Sequence, residues 1–385
     1  MNQIVDIIII GGGAAGIFAA IQAKIAHPSL KVIVLEKTAV VLSKVRVSGG
    51  GRCNVTHACF DPPILVQNYP RGHKELLAPF YSFQPQDTID WFESKGVQLK
   101  IEPDGRVFPI SNSSETIISC LLTEAANLGV EIRLRQKIED ILYAREQFEI
   151  LLEGHSLIAP RLLLATGSSK EGYRWAERLG HTIQPPVPSL FTFNVPSSPL
   201  RELSGIVINP VEVKLAGTHF TQQGPLLITH FGFSGPAILK LSAWGARHLY
   251  HKNYQTEITI NWLPSLSQKE LLNTLLSSPL NPFSLPKNFW KLMIAGLSRN
   301  SKKNLNLLSE RLHADRYLIQ GKTTHKEEFV TCGGISLQEI NFKTMQSKCC
   351  PGLYFAGEIL DIDGITGGFN FQNCWTNGSI FAKNL

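Results

Sequence analysis

Two glycine-rich segments near the start of the chain have the residue types and spacing of loops that lie against a ligand. The first spans Gly11–Gly16 and matches G-x-G-x-x-G. In such a loop the first glycine permits a tight turn, the second lets the backbone approach a pyrophosphate, and the third lets a helix pack on the preceding strand. The start of that helix presents free N–H groups to phosphate. The predicted phosphate contacts are Gly11, Gly13, Ala14, Ala15 and Gly16.

An acidic residue follows this loop at the distance expected for ribose recognition. Glu36 lies twenty residues after Gly16, at the end of an apolar segment, Lys31–Leu35. Its carboxylate can accept hydrogen bonds from ribose hydroxyls, and its charge disfavours a 2′-phosphate. We assign Glu36 and the adjacent Lys37 to the nucleotide site. The pattern does not distinguish NAD from FAD, and its alternative is a structural glycine turn in an unrelated α/β protein.

The second segment, Ser48–Asn54, has the sequence S-G-G-G-R-C-N. Consecutive glycines let the backbone lie close to a ligand, and Lys44 adds positive charge beside the loop. Cys53 is a candidate proton donor, because Arg52 next to it would favour the thiolate. The alternative role for Cys53 is that of a small packing residue. The residues assigned to the cofactor here are Lys44, Ser48, Gly49, Gly50, Gly51, Arg52, Cys53 and Asn54.

A third cluster of glycine and acidic residues lies near the C-terminus. Gly357-Glu358 ends a short apolar strand, and the segment Asp361–Gln372 leads into a final helix. A glycine-rich helix N-terminus is suited to stabilising an anion. Asp361 is a candidate catalytic residue that would orient a substrate, with a turn-forming role as its alternative. The cofactor residues assigned here are Gly357, Glu358, Asp363, Gly368, Asn370 and Phe371.

His230 is the remaining catalytic candidate. It lies in a turn rich in glycine and proline after the predicted strand Leu226–Thr229, and imidazole is a common general acid. The alternative is a structural histidine whose hydrogen bonds are satisfied. The seven cysteines include no C-x-x-C pair, and no His/Cys/Asp spacing predicts a metal site.

The elements that must position these residues follow from the apolar pattern. Ile4–Ile10 is rich in β-branched residues and predicts a buried parallel strand. The Ala-rich segment Ile17–Ala26 predicts a helix, and Lys31–Leu35 a second strand. Together they form the strand, loop and helix of a Rossmann unit. A further buried strand, Leu162–Ala165, is followed by Thr166-Gly167.

These segments together resemble the NAD(P)/FAD-dependent oxidoreductases of the BaiN/RdsA type, also described as aminoacetone-oxidase-like flavoproteins. The family includes a ribosomal RNA dihydrouridine synthase. The resemblance covers essentially the whole chain, and its most specific parts are S-G-G-G-R-C-N and A-G-E-x-L-D-x-D-G. It implies FAD as cofactor, with Ile138 meeting the adenine through its backbone and Thr166 and Gly167 lining the cofactor. One departure is that the loop after Ala165-Thr166-Gly167 is about seven residues shorter than the family's.

The resemblance also implies the domain organisation. We expect an α/β fold in which a Rossmann-type FAD-binding domain, similar to glutathione reductase, is interrupted by inserted domains. The predicted divisions are 1–187 for the first part of the FAD domain, 188–263 for a β-rich insertion, 264–327 for a basic helical insertion and 328–385 for the return to the FAD domain. The first boundary rests on Pro185–Pro188, because proline cannot continue a helix or a central strand.

Charge is distributed unevenly along a chain whose net charge is +6. Between residues 286 and 326 there are nine basic residues and two acidic ones, and between 37 and 74 there are six and one. A basic helical insertion is suited to a polyanion such as ribosomal RNA. The alternative is a solvated basic face with core aromatics. The predicted RNA contacts are Lys291, Arg299, Lys302, Lys303, Arg311 and Arg316.

Composition sets the class of protein. The chain has 385 residues, of which 43% are hydrophobic and 18% charged, as in a globular protein. The N-terminus has no basic region followed by a cleavage site, and its apolar segment is too short to span a bilayer. An odd number of irregularly spaced cysteines indicates reduced thiols. We therefore expect a cytoplasmic protein.

The predicted activity is that of an FAD-dependent oxidoreductase. Because a second G-x-G-x-x-G is missing, NAD(P)H is expected to bind transiently at the flavin. The leading hypothesis is reduction of uridine to dihydrouridine in ribosomal RNA. The alternatives are oxidation or reduction of a small molecule (an aminoketone, an amino acid or an enone) and a flavin-binding protein without turnover.

Overall fold

The computed structural model describes residues 2–278, 281–297, 302–323 and 330–385. It divides the chain into two units: the first joins Met1–Pro186 to Val330–Leu385, and the second is Val187–Phe329. The strands are β1 (Asn2–Ile4), β2 (Ile7–Ile10), β3 (Val32–Leu35), β4 (Thr56–His57), β5 (Leu99–Ile101), β6 (Arg106–Pro109), β7 (Glu131–Arg133), β8 (Ile138–Ala144), β9 (Gln147–Leu152), β10 (His155–Ala159), β11 (Arg161–Leu164), β12 (Ile183–Ser189), β13 (Thr192–Asn194), β14 (Val207–Leu215), β15 (Thr221–Ile228), β16 (Gly232–Ser234), β17 (Gln255–Asn261), β18 (Asp315–Gln320), β19 (Lys322–Thr323), β20 (Val330–Ile335), β21 (Ile340–Asn341), β22 (Gln346–Ser347) and β23 (Leu353–Phe355).

The helices complete the description of the elements. They are α1 (Ala14–Ala26), α2 (Ser43–Gly51), α3 (Pro62–Leu65), α4 (Leu77–Ser82), α5 (Pro85–Ser94), α6 (Ser114–Asn127), α7 (Lys170–Arg178), α8 (Pro236–Trp244), α9 (Ala246–His251), α10 (Gln268–Ser277), α11 (Lys287–Met293), α12 (Lys302–His313) and α13 (Phe369–Lys383). Among the described residues, no helix is both long enough and apolar enough to cross a membrane.

A mixed sheet of seven strands forms the centre of the first unit. Its order is β21-β22-β23-β11-β2-β3-β7, and the pairs from β23 to β7 are parallel. Strand β2 consists of four isoleucines, all buried, because helices cover both faces of a parallel sheet. The predicted α/β fold with a Rossmann-type domain is confirmed.

Helices α1 and α13 pack tightly on each other over this sheet. A β-carbon placed on Gly378 of α13 would lie 3.1 Å from the nitrogen of Ala19 in α1, so small residues on both helices allow the close approach. Helix α13 is buried along most of its length. Because α1 begins at the first glycine loop and α13 at the C-terminal one, this packing places the two loops side by side.

The second unit contains a seven-stranded sheet in the order β18-β17-β14-β15-β16-β13-β19. One apolar core includes Phe233 and Trp262 from the sheet side and Leu271, Phe289 and Leu312 from the helices. The predicted division into a β-rich domain, 188–263, and a helical domain, 264–327, is therefore wrong. Strand β18 also pairs with β17, so the chain returns to the sheet after its helices. The predicted boundary at 327/328 lies outside the described residues.

A buried histidine connects three segments of the first unit. His181 Nδ1 lies 3.2 Å from Glu339 Oε2, and its Nε2 lies 2.8 Å from Ser347 Oγ. The N–H groups of Cys349 and Cys350 donate to the same serine oxygen. Ser347 can therefore donate its hydroxyl proton to Nε2, while Nδ1–H donates to the carboxylate. Burial lowers the pKa of His181, against the opposing influence of Glu339.

This lowered pKa predicts a pH dependence of stability. Below the usual histidine pKa of 6.5 the unfolded chain binds a proton that the folded chain takes up only at lower pH. The free energy of unfolding should therefore fall as pH decreases from about 6.5, with a slope of at most about 1.4 kcal/mol per pH unit from this residue. Urea unfolding of wild type and His181→Gln between pH 7.5 and 5 measures it. Equal slopes for the two proteins would contradict the assignment.

Candidate functional site

The first glycine loop connects β2 to α1 at the carboxyl end of the parallel sheet. Gly11 has φ +111°, and a β-carbon there would lie 2.3 Å from the carbonyl oxygen of Ala165. A β-carbon on Gly16 would lie 2.0 Å from the carbonyl oxygen of Gly11. Gly13 differs, because a β-carbon there would have no described atom within 4 Å. Gly11 and Gly16 are thus required by the fold, whereas Gly13 leaves open space for a ligand.

Glu36 ends β3 beside this loop. Its carboxylate accepts the N–H groups of Gly12 and Thr38, both at 2.8 Å, so it is fixed against the glycine loop. The backbone of Gln136 donates to the Glu36 carbonyl at 2.8 Å, and this brings the start of β8, with Ile138, to the same end of the sheet. Lys37 forms an exposed ion pair with Glu171 at 3.5 Å.

The second glycine loop interrupts α2. Ser48 leaves the helical conformation, and Gly49, Gly50 and Gly51 all have positive φ. β-Carbons on Gly50 and Gly51 would meet no described atom within 4 Å. The side chain of Ser48 donates to the carbonyl of Val45, so its hydroxyl stabilises the break. The loop therefore presents bare backbone to its surroundings.

Cys53 does not have the environment expected of a thiolate. It is fully buried with φ +60°, and burial raises its pKa to about 12, against the opposing influence of the Ser48 side chain. Arg52 does not counter this, because its guanidinium pairs with Glu102 at 2.8 Å and lies 4.0 Å over the Phe108 ring. The expectation that Arg52 activates Cys53 is wrong, and the packing role fits the structure.

Asn54 links the second glycine loop to the C-terminal loop. In the orientation that satisfies its amide, it donates to the carbonyls of Thr56 and Val107 and accepts the N–H of Gly368 at 2.9 Å. Gly368 has φ +92°, and a β-carbon there would lie 2.6 Å from the Thr56 carbonyl. The start of α13 is thus held directly beside the second loop.

The acidic residues of the C-terminal segment have protein partners. Glu358 pairs with Lys44 and accepts the Thr331 N–H at 3.0 Å. Asp363 is buried and forms a two-point ion pair with Arg71. These pairs join the C-terminal segment to the N-terminal loops.

Asn370 and Phe371 lie in the first turn of α13. Asn370 binds both the N–H and the carbonyl of Gly364, at 2.9 and 3.0 Å, so it shapes the loop before the helix. Phe371 stacks on Trp375 with a centroid distance of 5.8 Å.

No side chain among the described residues caps the N-terminus of α13, and the same is true of α1. Both helices therefore direct uncapped N–H groups toward the loops.

Asp361 and His230, the other catalytic candidates, belong to different units. Asp361 lies in the first unit and is half-buried, and its N–H donates to the Ile335 carbonyl. Its negative charge, like that of Asp363, favours the protonated form of Arg71 and so raises the pKa of that side chain. His230 in the second unit is exposed between β15 and β16, and its carbonyl accepts Arg201 Nε at 2.6 Å.

The predicted RNA contacts in the second unit divide into two groups. Lys291, Lys303 and Arg316 are exposed. Arg311 is half-buried, donates to the Met293 carbonyl at 3.2 Å and lies 3.8 Å from Asp315, so its guanidinium is less available to RNA than the exposed side chains are. Arg299 and the Lys302 side chain lie outside the described residues. The nearby aromatics, Phe289, Trp290 and Tyr317, are core residues.

Several residues of the site have no local signal in the sequence. Arg71 and Asp363 are 292 positions apart. Thr331, whose N–H donates to Glu358, lies in the short segment T-C-G-G, which is a signal that could have found it. Donor atoms of His181, Glu339 and Cys349 lie within 4.8 Å of one another in the described part of the chain. The sequence spacing predicted no metal site here. The hydrogen bonds from His181 to Glu339 and Ser347 already satisfy both ring nitrogens without a metal ion.

A Rossmann sheet with a G-x-G-x-x-G loop after its first central strand, and a second open glycine loop, is the arrangement of a dinucleotide-binding domain. The model of the family described as HI0933-like protein Rossmann domain matches residues 5–384. The chain therefore belongs to this family of FAD-dependent oxidoreductases. The resemblance found in the sequence is confirmed.

Curated relatives match along the whole chain. It is 31% identical to the ribosomal RNA dihydrouridine synthase of Haemophilus influenzae, over 100% of this chain and 99% of the relative. It is 29% identical to the Escherichia coli protein of that name, over 99% and 98%. It is 27% identical to the 3-dehydro-bile acid delta(4,6)-reductase of Clostridium scindens, over 97% of each chain.

Solved structures share the fold at low identity. The E. coli quinol fumarate reductase FrdA has a TM-score of 0.53 and 15% identity, over 100% of this chain and 70% of that one. The 3-ketosteroid-delta4-(5alpha)-dehydrogenase of Rhodococcus jostii has a TM-score of 0.53 and 14% identity, over 99% and 97%.

The residues present fit FAD. Gly13, Gly50 and Gly51 leave space that β-carbons would fill. Glu36 is fixed where a ribose would bind. A dinucleotide lying across the carboxyl ends of these strands would use all of these groups.

The two classes of glycine predict different effects of the same substitution. Gly13→Ala should leave the melting temperature of the apoprotein unchanged, because the new methyl group meets no protein atom. It should weaken FAD binding about tenfold or more, because it fills the approach to the pyrophosphate. Gly11→Ala should instead destabilise the apoprotein by about 1–3 kcal/mol through its clash with Ala165. Thermal melts and flavin titrations measure both. Full FAD affinity in Gly13→Ala would contradict the assignment.

Proposed function

We propose that this protein uses NAD(P)H, through FAD, to reduce an activated C=C bond, and that the substrate is uridine in ribosomal RNA. The observation that carries the proposal is the end-to-end similarity to two relatives named ribosomal RNA dihydrouridine synthase. Dihydrouridine differs from uridine by two hydrogens across C5 and C6. The C4 carbonyl activates this bond, so a hydride can add at C6 and a proton at C5. The proposed location is the cytoplasm, where ribosomal RNA is found.

Bound FAD would supply hydride transfer from the nicotinamide to the substrate carbon. The chain's part is to hold and shield the cofactor. Glu36 binds the ribose, the Gly11–Gly16 loop binds the pyrophosphate, and the Ser48–Asn54 loop lies against the flavin half. The uncapped N–H groups of α13 stabilise negative charge at their end of the site. Lys44 and Arg71 pair with Glu358 and Asp363, so they hold the C-terminal segment beside the N-terminal loops.

The proton for C5 requires a group that can reach solvent or substrate. Cys53 is buried, and its high pKa leaves a weak acid with no exposed path. His230 is exposed, and Asp361 is half-buried, so they stay the proposed donor and the proposed orienting group. NAD(P)H would bind transiently, because the chain has one G-x-G-x-x-G loop and uses it for FAD.

A half-reaction experiment tests the substrate. The bound flavin is reduced anaerobically with NADH or NADPH, the excess is removed, and protein-free ribosomal RNA is added. We expect the visible flavin absorption to recover and dihydrouridine to appear in the digested RNA. RNA in which uridines are already reduced serves as the control, and it should leave the flavin reduced. No recovery with unmodified RNA, together with rapid recovery in air, would overturn the RNA assignment.

A small-molecule enone is the second candidate substrate. The similarity to a relative named 3-dehydro-bile acid delta(4,6)-reductase favours it, since that name also describes reduction of a C=C bond. The same reduced protein mixed anaerobically with a 4-en-3-one steroid separates the two candidates. Flavin recovery with the steroid but not with RNA would favour the small-molecule reductase.

The exposed lysines of the second unit predict a salt-dependent contribution to RNA binding. Lys291→Ala combined with Lys303→Ala should weaken RNA binding at low salt. It should also reduce the slope of log K against log salt by about 0.7–0.9 for each phosphate that is no longer neutralised. Lys343→Ala, an exposed lysine of the first unit, is the control and should change neither. Filter binding across a salt series measures the slope. An unchanged slope in the double variant would show that these lysines do not contact RNA.

A further inference from the structure

A long stretch of the second unit carries positive charge and no negative charge. From Val213 to Thr256 the sequence has four Lys or Arg residues, four His residues and no Asp or Glu. Two of these residues, His251 and Lys252, are exposed at the end of α9. Neither forms an ion pair within the described part of the chain. Burial and then the positive charges of Lys252 and His251 lower the pKa of His248. The end of α9 therefore attracts a polyanion.

Lys322, at the start of β19, adds a further cation to this region. Its Nζ lies 5.0 Å from the centre of the Tyr254 ring and 5.8 Å from the centre of the Phe191 ring, which are distances typical of cation–π contacts. Burial lowers the pKa of Lys322, and no charge among the described residues opposes this effect. Its positive charge thus lies against aromatic rings and is not neutralised by a described carboxylate.

Tyr250, next to His251, is an exposed aromatic residue whose ring is held by other rings. Phe191 is buried in the core, and the Tyr254 ring packs edge-on against it with a centroid distance of 5.5 Å. The Tyr250 ring packs edge-on against Tyr254 in turn, at 6.3 Å. Tyr250 itself is 48% exposed. The three rings therefore lead from the core to the surface, and the outermost one is both accessible and fixed.

This support distinguishes Tyr250 from the other exposed aromatic residues that the structure describes. Those residues are Phe60, Tyr81 and Phe231, and none of them packs on another aromatic ring within the described ranges. A ring that is already fixed loses little conformational freedom when a ligand stacks on it. Tyr250 is therefore prepared for stacking in a way that the other three are not.

An accessible ring beside positive charge is suited to one class of ligand. Bases of single-stranded nucleic acids stack on aromatic side chains while cations bind the phosphates between them. The ring centres of Tyr250 and His251 are 6.0 Å apart, and Lys252 follows directly, so neighbouring groups of one RNA strand can reach all three. In a duplex the bases stack on each other, and the ring has nothing to bind.

We infer that the end of α9 binds an unpaired segment of the RNA substrate, with Tyr250 stacked on a base and His251 and Lys252 on the adjoining phosphates. The inference rests on the proposed function, in which ribosomal RNA is the substrate. It adds a second RNA contact to the exposed lysines of α11 and α12. Positive charge alone would bind duplex and single strand alike, whereas the Tyr250 ring favours unpaired RNA.

Binding measurements without NAD(P)H test the inference apart from turnover. The probes are a fluorescent oligouridylate and the same strand annealed to oligoadenylate, and each is titrated with the purified full-length protein by fluorescence anisotropy. Tyr250→Leu should weaken oligouridylate binding about tenfold, because a stacking contact is lost. It should leave duplex binding unchanged. Tyr250→Phe keeps the ring and should bind like the wild type.

A salt series separates stacking from charge. Tyr250→Leu should leave the slope of log K against log salt unchanged, because it neutralises no phosphate. Lys252→Ala should reduce that slope by about 0.7 for oligouridylate. Tyr81→Leu is the matched control, because Tyr81 is a 68% exposed tyrosine of the first unit, and it should change neither affinity nor slope.

The results that would overturn the inference differ from those that would overturn the proposed function. Full oligouridylate affinity in Tyr250→Leu, or an equal loss for the duplex, would overturn the inference and leave RNA as the substrate. A wild-type protein that binds neither probe would overturn both. If a thermal melt shows that Tyr250→Leu does not fold, Lys252→Ala decides: a reduced slope supports the inference, and an unchanged slope overturns it.

Discussion

Burial of the parallel sheet on both faces is the constraint on which the rest of the first unit depends. With helices on each side, β2 has no polar face, and polar groups collect where the strands end. The carboxyl ends then have to be closed by residues that let helices and loops come very close. Gly11, Gly16 and Gly368 do this, since a side chain at any of them would overlap backbone. Gly13, Gly50 and Gly51 instead have open space beside their backbone, where a ligand can lie.

Features that are local in the sequence could be predicted, and those formed by distant residues could not. The first βαβ unit, both glycine loops and Glu36 each follow from a short pattern with a physical reason. The pairs Lys44–Glu358 and Arg71–Asp363 join residues about 300 positions apart, and no single segment contains that information. Cys53 shows the same limit. Its neighbour Arg52 suggested a thiolate. In the structure the Arg52 guanidinium pairs with Glu102 and lies over the Phe108 ring, and burial raises the pKa of the Cys53 thiol.

The second unit was misdivided because its helices and strands alternate in the sequence but share one core. Trp262 precedes helices α10–α12 in the chain and Tyr317 follows them, and both donate hydrogen bonds to Asp315. One carboxylate therefore holds the two ends of the helical segment together. Aromatics amid basic residues resemble a nucleic-acid surface in the sequence, yet here they fill the interior. The exposed lysines on α11 and α12 stay on the surface, where a polyanion can reach them.

The pairing of N-terminal loops with the C-terminal segment has a consequence for how the protein is made. The ribosome releases the first glycine loop, the second glycine loop and β11 long before β23 and α13 exist. Until those last elements emerge, β11 lacks its neighbour, and Lys44 and Arg71 lack the carboxylates that hold them. The contacts that hold the glycine loops together therefore form only after the final segment has been made. A nascent or truncated chain without its final segment exposes one edge of an apolar sheet, which makes it a natural target for chaperones and proteases.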